Sequence, residues 1–294
     1  ALAGMIIAWL YLAKPVQTAS REQNLLTLTD LATLDVDGKH REHLTRSIAF
    51  VILFSFVFYI AAQFQGAGTA FSGAFGLPST EAILTGALIV MIYTWLGGFW
   101  AVSLTDAIQG TVMLFASALL PIATLLELGG LTEFWANYQQ VASPAQLSLT
   151  GNAAGLAIIG VVVGGLSTGI STFGQPHLII RFMALRDETA RRQATAITAV
   201  WYVIVWFGMA FLGLAGALLV PELANTEQVF FALADSVLPT LIAGLLVAAV
   251  ISAIMSTADS QLLVSASVLS HDLGFGKRYP NRQLLISRIA VAAV

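Results

Sequence analysis

Ala253-Ile-Met-Ser256-Thr257-Ala-Asp259-Ser260-Gln261 lies inside a stretch, Ser236 to Ser270, whose one charge is Asp259. The stretch exceeds the roughly 20 apolar residues that a helix needs to cross a bilayer. A carboxylate at membrane depth is costly, so it normally has a partner or a role. Ala253, Ser256, Thr257 and Ser260 follow i, i+3, i+4 and i+7, which puts them on one helix face. That face offers carbonyl and hydroxyl oxygens beside a carboxylate, the ligands a hard cation prefers. The pattern points to an ion-coupled membrane transporter.

Composition agrees with a membrane setting. Of the 294 residues, 57% are hydrophobic and only 10% charged, against about 25% charged in soluble domains. Uncharged runs of about 20 residues are helix signals rather than barrel strands, so the fold class is an all-α membrane protein in contact with the lipid bilayer. A net charge of −3 argues against nucleic acid as a partner. The chain has no cysteine, which excludes disulfides and thiolate metal sites. No paired carboxylates, His pair or nucleophile elbow marks an enzyme.

Seven apolar segments can be marked, at roughly 1–13, 47–66, 80–98, 104–126, 151–170, 194–220 and 238–270, and an eighth begins near 284. Together they read as a single transmembrane domain over 1–294. The basic residues fall in three groups, Lys14 to Arg46, Arg181 to Arg192 and Lys277 to Arg288, while the connections at 67–79, 127–150 and 221–237 hold none. Seven crossings therefore place every Lys and Arg on one side, the cytoplasmic side by the positive-inside rule. Both ends of the chain lie in apolar runs, which reads as an internal piece of a longer protein. Leu26–Leu34 suits a short interfacial helix. Between Gly164 and Gln175, three glycines within four hydroxyl residues and a following Pro176 predict an interrupted helix. Transporters place substrate and ion sites at such breaks, where backbone groups are free.

Three runs carry a family likeness. Phe173-Gly-Gln-Pro-His177-Leu-Ile-Ile-Arg181-Phe-Met-Ala184, Gly97-Gly-Phe-Trp-Ala-Val-Ser103-Leu-Thr-Asp106-Ala-Ile-Gln109 and Met255-Ser-Thr-Ala-Asp-Ser-Gln-Leu-Leu-Val264 resemble the solute:sodium symporter family, nearest to its sodium/proline symporters. The likeness covers essentially the whole chain. It implies a LeuT-type fold of inverted repeats, here about seven transmembrane helices plus the start of another. It also implies Na+ as the coupling ion and a plasma-membrane location, in bacteria the inner membrane.

The resemblance assigns roles by position. The Ala253 carbonyl and the Ser256 and Thr257 hydroxyls match the family's sodium ligands. Asp106, Ser256 and Ser260 match a second sodium position found in some members, and Asp259, standing where the sodium/proline symporters carry a hydroxyl, joins Asp106 and Ser260 as a second-sodium candidate; a helix N-cap is the competing reading of Asp106. On the substrate side, Tyr59 matches a pocket tyrosine. Thr168 and Thr172 stand where the proline carriers have aromatic rings, and Gln175 adjoins the break. Hydroxyls in place of rings suit a more polar small-molecule solute. The implied activity is sodium-coupled symport of a small organic solute by alternating access. A transporter-like sensor domain and a proton-coupled transporter are the alternatives.

Overall fold

The structure, a computed structural model, describes residues 2–223, 225–279 and 282–293. Every regular element among them is helical: α1 (Leu2–Ile7), α2 (Ala13–Gln23), α3 (Leu28–Ala32), α4 (Gly38–Phe75), α5 (Ser79–Glu127), α6 (Leu131–Val141), α7 (Ala157–Ile170), α8 (Pro176–Met183), α9 (Glu188–Leu219), α10 (Val229–Val237), α11 (Thr240–Ser267), α12 (Phe275–Arg278) and α13 (Gln283–Ala293). A π-helical turn at Ala8–Leu12 joins α1 to α2, and another at Val268–Asp272 extends α11.

Among the described residues, four helices are long and apolar enough to cross a membrane: Gly38–Ser72, Gly98–Glu127, Glu188–Leu219 and Thr240–Asp272. Thr80–Trp95 and Ala157–Gly169 are shorter apolar helices. The segments read at 80–98 and 104–126 are two helices that meet within α5 at Gly98, where φ 60° and ψ −162° break the helical run. That conformation lies outside the helical region and suits only glycine. The predicted connection at 98–104 is therefore a single residue wide.

Contacts divide the chain into two compact units. One comprises Ala1–Ile7, Thr111–Thr172 and Ala194–Val250; the other comprises Ala8–Gly110, Phe173–Gln193 and Ile251–Val294. In the first, Ala116 and Leu120 of α5 pack with Leu212 of α9, Leu233 and Ala234 of α10, and Ala243, Leu246 and Ala249 of α11. Phe134 and Tyr138 of α6 close a smaller cluster on Ala215. Gly208 lets α9 lie against α5, because a Cβ there would overlap the Ser117 carbonyl oxygen. Gly208→Ala should therefore cost about 1–3 kcal/mol through overpacking. A lowered melting temperature of the detergent-solubilised protein checks it, and an unchanged one would mean that the helices separate freely.

In the second unit, Ala49, Ile52, Phe56 and Ile60 form a stripe along α4, spaced three or four residues apart. The stripe packs on Val90 of α5 and on Ala258, Leu262, Val264 and Val268 of the α11 segment. The opposite face of α4 presents Phe50, Phe54 and Phe58, each more than half exposed. In water that face would be an aggregation hazard; in a bilayer it matches its solvent. Together with the spanning lengths, it makes the chain a multi-pass integral membrane protein.

Two smaller features of this unit matter below. Ile179, Phe182 and Met183 of α8 pack on Ala13 and Val16 of α2 and on Leu25, with Trp9 edge-on to Phe182 at 4.7 Å. This wedges α8 in place. The helix foreseen within Leu26–Leu34 is α3, opened by a capping box in which Thr27 and Asp30 each bind the other's backbone N–H. Burial raises the Asp30 carboxyl, but the bond to His271 and the amides of Leu26 and Thr27 outweigh it and hold it down to about 2. Asp30 is thus a carboxylate throughout the physiological range.

Candidate functional site

The reading of α11 as an oxygen-bearing face can be followed atom by atom. Ser256 Oγ and Thr257 Oγ1 both donate to the Ala253 carbonyl oxygen, at 3.0 and 3.1 Å. Each hydroxyl spends its one proton inward on that carbonyl, so its lone pairs remain to face a cation. Three neutral oxygens thus converge within one turn of a single helix. All three residues are partly exposed rather than sealed in the core. One turn further on, Gln261 is fully buried, and neither amide atom has a hydrogen-bond partner among the described residues.

Asp259 and Asp106 lie in a polar network in the same compact unit. Asp259 is fully buried. Its Oδ2 accepts a 2.8 Å hydrogen bond from the Tyr93 hydroxyl, which also lies 3.3 Å from the Met255 carbonyl. Asp106 is ion-paired with Arg181 through Oδ2. The same guanidinium donates to Ser103 Oγ at 2.9 Å and to Ser260 Oγ at 2.7 Å. Ser260 in turn donates to Asp106 Oδ2 at 3.3 Å. The two carboxyl groups interact with each other, and each keeps one buried oxygen without a hydrogen bond, Asp106 Oδ1 and Asp259 Oδ1.

Asp106, Asp259 and Ser260 are therefore neighbours, with a cation, the Arg181 guanidinium, already among them. Asp106 is not a helix cap: it lies within α5, past the Gly98 turn. Arg181 and Tyr93 belong to this site but were not singled out from sequence. Arg181 counted only as one basic residue among those setting orientation. Its signal was available, since it is the only charged residue of α8, whose Phe182 and Met183 neighbours are buried. Its guanidinium also lies over the Phe99 ring at 5.6 Å.

The predicted interruption is present. After α7 the chain makes a 3-10 turn at Ser171–Gly174, extends at Gln175 (φ −87°, ψ 109°), and re-enters a helix at Pro176. Proline at the first helical position is favoured because it has no N–H to leave unsatisfied. The Gln175 carbonyl accepts from the Leu178 and Ile179 amides, both at 3.1 Å, while its side chain makes no capping bond.

The substrate candidates are not gathered in one unit. Tyr59 lies beside His177, ring centroids 6.4 Å apart, and Phe56 flanks the same imidazole at 5.7 Å. Thr168, in the other unit, is exposed and returns its hydroxyl to the Gly164 carbonyl at 3.2 Å. The Thr172 side chain lies outside what the structure describes.

This geometry defines a class: a multi-pass helical membrane protein with an interrupted helix and an oxygen-rich face on a spanning helix. Comparison with known proteins narrows it. The model of the sodium:solute symporter family matches residues 1–293. Sodium/proline symporters of Staphylococcus aureus, from strain USA300 / TCH1516 and strain Newman, are each 34% identical over 257 residues, covering 83% of this chain and 49% of theirs. A solved structure of a Na+-coupled sialic acid symporter in a substrate-bound, outward-open state superposes with TM-score 0.76 at 19% identity, over 99% of this chain and 64% of that one. The chain belongs to the sodium:solute symporter family and has the LeuT-type fold. It spans about half the length of the curated relatives it matches.

Proposed function

We propose that the protein is a sodium-coupled secondary symporter of a small organic solute, working as one transmembrane domain in the plasma membrane. The observation that carries this reading is the convergence of the Ala253 carbonyl with the Ser256 and Thr257 hydroxyls on α11. Neutral oxygens hold a hard monovalent cation weakly enough to release it each cycle. Sodium and solute are coupled if both favour the same conformation. Such a carrier has no need of enzymatic machinery.

For the solute we propose an amino acid or organic acid, with Tyr59, Thr168, Thr172 and Gln175 as candidate contacts. The relatives named as sodium/proline symporters make proline the first candidate. The threonines at 168 and 172 favour a more polar solute. A second reading, proton coupling, draws on one observation: the Asp259 carboxyl is fully buried and bonded to Tyr93. Asp106, Asp259 and Ser260 would hold a second sodium in the first reading and a transported proton in the second.

Uptake by the intact protein in proteoliposomes tests both readings, using radiolabelled proline and a panel of amino and organic acids. Accumulation should require an inward sodium gradient and should persist when the proton gradient is collapsed. Uptake that ignores sodium for every solute overturns the sodium reading. Loss of uptake with the proton gradient would favour the second.

A further inference from the structure

We infer that α3 and the π-helical end of α11 form a binding site for a divalent transition-metal cation of the zinc class, with Asp30, His271 and Asp272 as ligands. These three residues each offer one ligand atom, and the three atoms lie within 4.8 Å of one another. His271 Nε2 and Asp30 Oδ2 are 3.0 Å apart. A tetrahedral zinc ion with ligands at about 2.0–2.2 Å separates its ligand atoms by roughly 3.3 Å. Closing the set around an ion therefore requires little beyond bringing Asp272 inward.

Local structure holds these groups in place. Asp30 is fixed by the capping box of α3, where its Oδ2 accepts from the Leu26 amide at 3.0 Å. His271 and Asp272 are consecutive residues of the Val268–Asp272 turn, whose wider π winding breaks the regular helical ladder. Such turns recur at functional sites in helices. Thr27 Oγ1 donates to Asp272 Oδ1 at 2.8 Å, which orients that carboxylate from behind, as outer-sphere partners of metal ligands do.

Thr29, 1% exposed, sets a second hydroxyl against the Asp272 carboxyl, so two threonines at the start of α3 brace that carboxylate. Asp272 also forms part of the wall of a cleft of about 610 Å³ bordered by Gly38, Glu42 and Thr45, which gives an entry path.

The ligand set selects the ion class. One imidazole nitrogen with two carboxylates suits zinc and its neighbours, whereas magnesium and calcium demand more oxygens. The site is distinct from the proposed sodium position: Thr257 precedes Asp272 by 15 residues, about 20 Å along a helix. A bound ion would tie α3 to the helix that carries the proposed sodium oxygens.

The test is zinc binding to the purified intact protein in detergent, measured by competition with a chromogenic chelator in metal-free buffer. One zinc per chain is expected, and a large excess of magnesium should not displace it. His271→Gln keeps an N–H donor for Asp30 but loses the ligand nitrogen, and Asp272→Asn weakens the second ligand. Loss of outer-sphere partners alone costs about tenfold in metal affinity, so each variant should lose at least about tenfold. Melting temperatures of the metal-free variants verify their folding, and Asp30→Asn replaces any variant that does not fold. Absence of saturable zinc binding by the wild-type protein, or equal binding by folded variants, overturns the proposal.

Discussion

Replacing Thr257 by valine should raise the sodium concentration for half-maximal uptake by about tenfold or more, a loss of roughly 1.4 kcal/mol or more in ion binding. Valine matches threonine in shape and keeps the helix packed, so the change removes one oxygen and little else. That oxygen is one of three converging on α11, since Thr257 Oγ1 donates to the Ala253 carbonyl at 3.1 Å. Thr257→Ser keeps the oxygen and should stay near wild type. The competing account treats the hydroxyl as an intrahelical bond only, which often slightly destabilises a helix. On that account, valine would leave sodium dependence unchanged and stability equal or improved. Sodium titrations of uptake for both variants, with melting temperatures alongside, separate the accounts: a valine variant that is stable and normal in sodium dependence moves the ion site elsewhere.

What sequence can and cannot reveal follows from the range of each interaction. The α11 oxygen face was legible because Ala253, Ser256 and Thr257 lie within one turn, where helical periodicity dictates adjacency. The α3 helix was legible as a short apolar run over Leu26–Leu34, whereas its Thr27–Asp30 capping box came only with the structure. The break before Pro176 was legible because proline and glycine constrain the backbone locally. By contrast, Arg181 meets Asp106 across 75 positions and Tyr93 meets Asp259 across 166. No local pattern encodes those pairings; they appear only once α5, α8 and α11 have packed. The Gly98 turn fell between these cases. Its glycines were visible, but whether they made a loop or a single kinked residue depended on the backbone geometry at that residue.

Arg181→Gln should be among the most damaging single substitutions in the chain. It would leave Asp106 without its counter-ion at a position where the two side chains are only 25% and 19% exposed. Removing one partner of such a pair costs about 3–5 kcal/mol, because the remaining charge stays desolvated. Asp106→Asn should be harmful for the reciprocal reason: Ser103, Ser260 and the amide oxygen can still accept from the guanidinium, but the carboxylate charge that pairs with it is gone. The double variant Asp106→Asn/Arg181→Gln removes both charges and should recover part of the loss, so the two effects should not add. Melting temperatures of the four proteins in detergent measure this cycle, and strict additivity would mean that the pair contributes nothing as a pair. The same variants address the proposed second sodium position. Arg181 lies beside Asp106 and Ser260, so sodium could bind there only if the guanidinium moved away. Arg181→Gln with Asp106 intact should therefore lower the sodium concentration needed at this position, and adding Asp106→Asn should abolish that gain. If the sodium dependence of uptake is identical in both backgrounds, Asp106 serves to anchor α8 and holds no ion.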